Sequence, residues 1–273
     1  MIFNETYYLL KDRYIREIDN LVLSDVRIGL YLTAVRLSDN SVGTSSTLPL
    51  EHPICLKENR EFGDFSPLKI RGKRVTEILE TDRKSQIISS LKIAVLNAIS
   101  SGIIFSGKYK VKENCDPIQL VDLEKKQTIT IVGAFHSYIR KISETGNRLF
   151  VLEKNKKALR GEFHQYYVEA SQYEKVVPDS DVLLITGQTL VNGTIDELLS
   201  LVSPGCQVIV AGPSCGIIPD VLFEKGVSIV GGTRITRPEI VFSIVSEGGL
   251  GYHLLEYCAA KICILGENEG KAE

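Results

Sequence analysis

The chain has 273 residues, of which 44% are hydrophobic and 24% charged, with a formal net charge of −2. That length allows one large domain or two modest ones, and the composition is that of an ordinary globular protein. A nearly neutral surface draws neither nucleic acid nor an anionic membrane, so the expected partner is a small molecule, with no nucleic acid and no membrane.

The first twenty residues carry charge in every turn, which suits neither a signal peptide nor a membrane span, and no later run of about 18 apolar residues is free of charge. Cysteines 55, 115, 206, 215, 258 and 263 contain no C-x-x-C pair. A chain of this size needs no disulfide staples, and we expect a reducing, cytoplasmic compartment.

Residues 5–18 place Tyr7, Leu10, Tyr14 and Ile18 three to four apart, which predicts an amphipathic helix ending at Asp19-Asn20. Over 22–37, Val26, Ile28, Leu30, Leu32 and Ala34 alternate with Arg27, Gly29, Tyr31 and Thr33, which predicts one extended stretch; residues 42–47 begin a return strand. The pattern dissolves over 48–69 among Pro49, Pro53, Gly63 and Pro67, and that part is left unassigned. Helices are predicted at 74–79 and 85–100, the second with Ile88, Leu91, Val95 and Ile99 on one face and Gly102 as its cap. Residues 109–126 read as a surface connection. The expected division is 1–124, a smaller α+β domain, and 125–273, an α/β domain with a Rossmann-like parallel sheet.

In the second part strands alternate with helices: strands at 128–132, 148–153, 182–185, 207–211, 228–230 and 262–265, helices at 137–144, 194–201, 219–224 and 238–246. The stretch 182–193, VLLITGQTLVNG, organises the whole: a buried strand, a break at Thr186-Gly187, then a loop crowded with Gln188, Thr189 and Asn192. Such a loop at the carboxyl edge of a parallel sheet is where ligands sit. Gly212-Pro213-Ser214 and Gly231-Gly232-Thr233 are read as two more strand-end loops on the same edge, and three loops converging on one edge build a pocket.

Gly133 closes the first of these strands and Glu153 ends the second, the spacing at which a carboxylate reaches a ribose hydroxyl. The loop is G-A-F-H, not G-x-G-x-x-G, so NAD or FAD is disfavoured, while a smaller ligand or a nucleoside stays open; the alternative is plain turn chemistry. His136 starts the following helix, where the dipole favours a neutral imidazole able to take a proton or ligate a metal, unless it is simply bonded to backbone or water. Cys206 and Cys215 bracket one strand and cannot share a metal ion. Asn97 lies in an apolar helix and either caps a neighbouring strand or faces a pocket.

The runs T-G-Q-T-L-V-N-G-T (186–194), A-G-P-S (211–214), G-V-S-I-V-G-G (226–232) and S-E-G-G (246–249) resemble the DUF364 family, named for a proposed role in heavy-metal chelation. V-G-T-S (42–45) and A-V-L-N-A-I (94–99) resemble its companion DUF4213 domain, whose fold is enolase-N-terminal-like. The resemblance implies a pocket between the two domains, with Thr189, Asn192, Pro213, Ser214 and Gly232 of the second and Thr44 and Asn97 of the first as matching positions. It also implies partial similarity to methyltransferases, but Gly133 is followed by Ala134-Phe135, so S-adenosylmethionine is not expected and no cofactor is assigned.

Together these readings lead to the expectation of a protein that binds a small molecule or metal chelate (siderophore-, pterin- or flavin-like) between its domains. Gly133, Thr186, Gly187, Thr189, Asn192, Pro213, Ser214, Gly232, Thr44 and Asn97 would hold the ligand, and His136 and Glu153 are the acid–base candidates. The alternatives are an enzyme of condensation, hydrolysis or group transfer on such a molecule, and a homodimeric scaffold without a ligand.

Overall fold

A computed structural model of the chain describes residues 1–49 and 63–266. Cys55 and most of the unassigned proline-bearing stretch lie outside them.

The amino-terminal part holds α1 (Ile2–Asn20), β1 (Leu23–Ile28), β2 (Leu32–Leu37), β3 (Val42–Ser46), α2 (Val75–Glu80) and α3 (Gln86–Ile103). The stretch expected as one strand over 22–37 is a hairpin, because the alternation runs unbroken through a turn at Gly29-Leu30-Tyr31, closed by Gly29 N–H donating to the Leu32 carbonyl at 2.9 Å. The three strands pair antiparallel in sequence order, with Ala34 opposite Thr44. Both faces of β2 and β3 are covered, by α3 on one side and by Val241, Phe242 and Val245 on the other, which leaves these strands apolar or small apart from the half-buried Arg36. Gly43 makes the first contact possible: an alanine Cβ there would lie 2.1 Å from the Ala94 carbonyl oxygen of α3. The helix α3 does not stop at Gly102. It runs on into a wide turn over Ile104–Lys108, where Gly107 takes the left-handed φ of +91°. Residues Gln86–Lys108 are long and apolar enough to cross a membrane, with a mean hydropathy of 1.7, yet 67% of that window is buried inside the protein.

The rest comprises β4 (Lys110–Glu113), β5 (Thr128–Val132), α4 (His136–Ser143), β6 (Arg148–Glu153), β7 (Tyr167–Glu169), α5 (Tyr173–Val176), β8 (Val182–Thr186), α6 (Gln188–Asn192), α7 (Ile195–Ser200), β9 (Gln207–Ala211), α8 (Asp220–Glu224), β10 (Val227–Ile235), α9 (Pro238–Ser246), α10 (Gly251–Tyr257) and β11 (Ala259–Leu265). They form an eight-stranded sheet in the order β4-β11-β10-β9-β8-β5-β6-β7. From β10 to β7 all pairings are parallel; β11 and β4 are antiparallel. The protein is thus a mixed α/β fold, a mostly parallel large sheet with a separate small antiparallel one.

Two readings from the sequence change here. The stretch 109–126 contains β4, so the chain enters the large sheet before the boundary expected at 124. Gly231-Gly232-Thr233 is no loop: β10 continues through it, paired to β11, because an antiparallel partner carries the strand past the point where its parallel neighbour β9 ends. Glycine at 231 is dictated by packing, since a Cβ would lie 2.3 Å from Cγ of Pro117.

The strand β8 shows why the central run is wholly apolar. Val182 and Leu184 face the layer holding Ile139 and Ile142 of α4, while Leu183 and Ile185 face the layer holding Leu198 of α7 and Leu91 and Val95 of α3. A strand covered on both faces has no polar alternation. The second of these layers runs without a break from Leu10 and Val35 to Val210 and Ile264, so both sheets share one hydrophobic core.

Candidate functional site

The parallel strands leave β5 in two directions, through β6 to β7 on one side and through β8, β9 and β10 on the other. Where such a sheet reverses, connections depart to opposite faces and a crevice opens beyond the carboxyl ends. Here it opens between Val132 and Ile185, opposite each other in register. Gly133 turns the chain away with φ +100°, a region open to glycine and costly to other residues, and a Cβ there would press on the Thr186 side chain at 3.1 Å.

The crevice is a cavity of about 410 Å3 whose lining includes Gly133, Glu153, Thr186, Gln188, Thr189 and Asn192. Glu153, the last residue of β6, lies opposite Glu169 at the end of β7. Its Oε1 accepts the Asn155 N–H at 3.1 Å, which fixes the carboxylate. Thr189 is buried and donates its hydroxyl to the Thr186 carbonyl at 2.7 Å, and the Asn192 amide oxygen accepts from Thr194 N and Oγ1 at 3.1 and 2.7 Å. Both side chains therefore shape the wall by bonding the chain to itself. The expected loop after Gly187 is the short helix α6, which these local bonds stabilise.

A second chamber of about 750 Å3 lies between the two sheets, and Thr186 and Gln188 line it as well. The β1–β2 turn brings Leu30 and Tyr31, the start of β3's exit brings Thr47 and Leu48, and the loops of the large sheet bring Phe135, Pro213 and Leu250. Among the described residues that line it, none is Asp, Glu, Lys, Arg, His or Cys. Leu30, Tyr31 and Leu250 are exposed at 71%, 48% and 44%, more than large apolar side chains beside a core ordinarily are.

Behind this chamber the two sheets are tied by polar contacts. Ser46 N–H donates to Ser214 Oγ at 2.9 Å, and the Asn97 amide nitrogen donates to the Thr44 carbonyl at 2.6 Å and the Pro213 carbonyl at 3.3 Å. Ser214, Thr44 and Asn97 are buried. Asn97 answers both alternatives left open for it: it bonds the strand β3, and it lines a third cavity of about 280 Å3 together with Thr44, Pro213 and Arg234.

The structure therefore gathers Gly133, Glu153, Thr186, Thr189 and Asn192 in the crevice, and Thr186 and Pro213 in the neutral chamber. Gly187 is buried beneath them, its N–H donating to the Ala211 carbonyl at 2.8 Å and its missing Cβ leaving room for Cys215 Sγ. Gly232 lies inside β10 against the Cys215 carbonyl. His136 lines none of these cavities: its Nε2 stands 2.7 Å from the Ala158 carbonyl and its ring meets Phe163 edge-on. Since a carbonyl only accepts, Nε2 carries the proton of this bond. Sequence reasoning passed over Tyr31, Leu250, Glu169 and Tyr173; the apolar pair Leu30-Tyr31 directly after a glycine was the one signal available.

Burial pushes the Cys215 thiol well above its usual range, and burial with the Asp181 carboxylate pushes Cys206 up to about 11. Neither is a thiolate near neutral pH. Among the described residues no three His, Cys, Asp or Glu side chains come together in a way that could hold a metal ion.

With this geometry in view, the relatives are informative. A structure of a DUF364 protein of unknown function from Pyrococcus horikoshii matches with a TM-score of 0.76 at 21% identity, covering 97% of this chain and 98% of that one. A second, from Desulfitobacterium hafniense, matches with a TM-score of 0.69 at 18% identity, covering 97% and 100%. An uncharacterized protein of Methanocaldococcus jannaschii is 24% identical over 182 residues, 66% of this chain and 67% of that one. The DUF4213 family model matches residues 11–100 and the DUF364 family model residues 116–264, both described as "Putative heavy-metal chelation". The second match spans more than half of the sequence and contains the whole carboxyl edge on which the crevice is built, and the chain belongs to the DUF364 family.

Proposed function

We propose that the protein binds a small, largely apolar organic molecule in the neutral chamber between its sheets, and that any metal enters already held by that molecule. The observation that carries this reading is the chamber's lining: about 750 Å3 bounded by Tyr31, Phe135, Leu250 and other uncharged side chains. A bare heavy-metal ion needs thiolate, imidazole or carboxylate ligands, and the described residues of this lining offer none. An apolar molecule, or a chelate whose ligands face inward, loses water to such walls with a gain of roughly 25 cal/mol per Å2. Gln188, whose amide makes no hydrogen bond within the described residues, and Thr186 offer neutral polar groups for orientation at the boundary with the crevice. Holding is better supported than turnover, because acid–base chemistry needs a titrating group within hydrogen-bond reach of the substrate and the described residues of the chamber walls carry none.

The test is native mass spectrometry of the purified full chain joined to elemental analysis, on the wild type and on Leu250→Asp. Leu250 caps the amino end of α10 at the chamber mouth, and aspartate is a good residue at that position, so the fold is retained while a charge enters the apolar wall. The expected result is an added organic mass, with any metal in fixed ratio to it, that falls about tenfold or more in the variant. Metal retained without an organic mass, or no organic mass at all, counts against the reading.

A further inference from the structure

We propose that the crevice at the sheet's reversal point is a separate site for an unphosphorylated nucleoside, recognised through its vicinal ribose hydroxyls. The cavity of about 410 Å3 falls in the range of small-molecule sites, roughly 300–1,000 Å3. Glu153 ends the strand next to β5, and with Oε1 occupied by the Asn155 N–H, Oε2 has no hydrogen bond within the described residues. A carboxylate is an acceptor only, so what it lacks is donors, and two neighbouring hydroxyls on one sugar supply them in a single rigid unit. Tyr173, Leu152 and Leu198 add apolar surface to the same cavity, against which a base can pack.

The absence of a phosphate from this ligand follows from the turn after β5. A phosphate at this edge is normally held by free backbone N–H groups at the start of the first helix. Here Phe135 N–H is already bonded to the Gly133 carbonyl and His136 N–H to the Ala134 carbonyl, both at 3.0 Å. Among the described residues the cavity wall also sets three carboxylates, Glu153, Glu169 and Glu197, against the one ammonium of Lys154, which repels an anion and tolerates a neutral sugar.

Titration calorimetry of the full chain with adenosine, guanosine, cytidine and uridine tests this, followed for the tightest of them by its 5′-monophosphate and its 2′,3′-dideoxy analogue. At least one nucleoside should bind with Kd below about 1 mM. Removing the diol, adding the phosphate, or substituting Glu153→Gln should each weaken binding about tenfold or more, with the melting temperature of Glu153→Gln unchanged. Failure of all four nucleosides to bind, a monophosphate that binds as tightly as its nucleoside, or equal affinity in Glu153→Gln would overturn the proposal. Leu250→Asp, which probes the neutral chamber, should leave nucleoside affinity unaltered, so this site and the chamber stand or fall separately.

Discussion

Replacing Gly187 with alanine isolates one packing contact at the centre of the site. Gly187 has φ −60° and ψ −11°, a conformation alanine adopts freely, so the substitution brings no backbone penalty. Its new Cβ would, however, lie 2.5 Å from Cys215 Sγ, and the next contact, Ser214 Cβ at 3.3 Å, is far milder. Ordinary contacts between such atoms are about 3.5–4.0 Å. Cys215 is fully buried in the shared core and cannot turn aside without displacing its neighbours. Overpacking of this kind costs about 1–3 kcal/mol, offset by about 0.4–1 kcal/mol because alanine restricts the unfolded chain more than glycine does. We expect Gly187→Ala to lose about 1–2 kcal/mol, read as a lower urea midpoint at unchanged slope. Cys215→Ala should lose about 1–2 kcal/mol as a small cavity opens. In the double variant the alanine methyl takes the space the sulfur leaves, so the combined loss should fall short of the sum by about 1 kcal/mol or more. If the two losses add to within about 0.5 kcal/mol, the close approach of positions 187 and 215 does not govern this loop and the packing argument fails.

Three further substitutions or treatments test other links. Asn97→Asp keeps the shape but sets a carboxylate against the Thr44 and Pro213 carbonyls that the amide nitrogen now satisfies, so it should destabilise by more than Asn97→Ala, whose cost is about 1–3 kcal/mol in denaturant titrations at pH 7; equal stability of the Asp variant and the wild type would refute the tie. Asp220 accepts from Arg13 at 2.8 Å, Lys108 at 3.0 Å and Tyr109; burial works to raise its pKa, but these bonds prevail and hold it below the usual carboxylate range. Its contribution is therefore present above the unfolded value of about 3.9 and lost as pH falls through the lower folded value. Asp220→Asn should be less stable than the wild type at pH 7 and should flatten the acid limb of a pH–stability curve, and an unchanged limb would count against the cluster. Alkylation with iodoacetamide at pH 8 should leave Cys206 and Cys215 unlabelled in the folded chain and label both in urea, because burial raises both thiols; rapid labelling of either in the native state, seen by peptide mass mapping, would contradict their placement.

Much of the carboxyl-terminal sheet was legible in the sequence. The strands β5, β6 and β9 and the helix α9 fall where hydrophobic period and glycine breaks predict them, since each strand is a short apolar run bounded by a turn and the helix buries one stripe of Val241, Phe242 and Val245. The elements misread are those whose form depends on a distant partner. The β1–β2 hairpin hides its turn because Leu30 continues the alternation while pointing at the chamber and not at the core. The strand β4 carries Lys110, Lys112 and Glu113 and looks like a connection, being an edge strand that only pairing to β11 makes regular. The strand β10 extends through a double glycine because pairing to β11 carries it on, with Gly231 leaving space for Pro117 and Ala211.

The site divides in the same way. Gly133, Glu153 and Thr186 could be placed on one edge from spacing, because strand length and parallel winding fix where each strand ends. Ser214, Thr44 and Asn97 look from sequence like ligand-holding groups, and the structure brings them together in a tie between the sheets, with Thr44 and Asn97 also lining a cavity. By itself the sequence determined the parallel sheet and the location of its carboxyl edge, since both follow from local period and chain direction. Only the tertiary structure decided which polar groups are consumed by the fold and which face open space. That choice depends on contacts between residues as far apart in the chain as Ser46 and Ser214, and no local pattern encodes it.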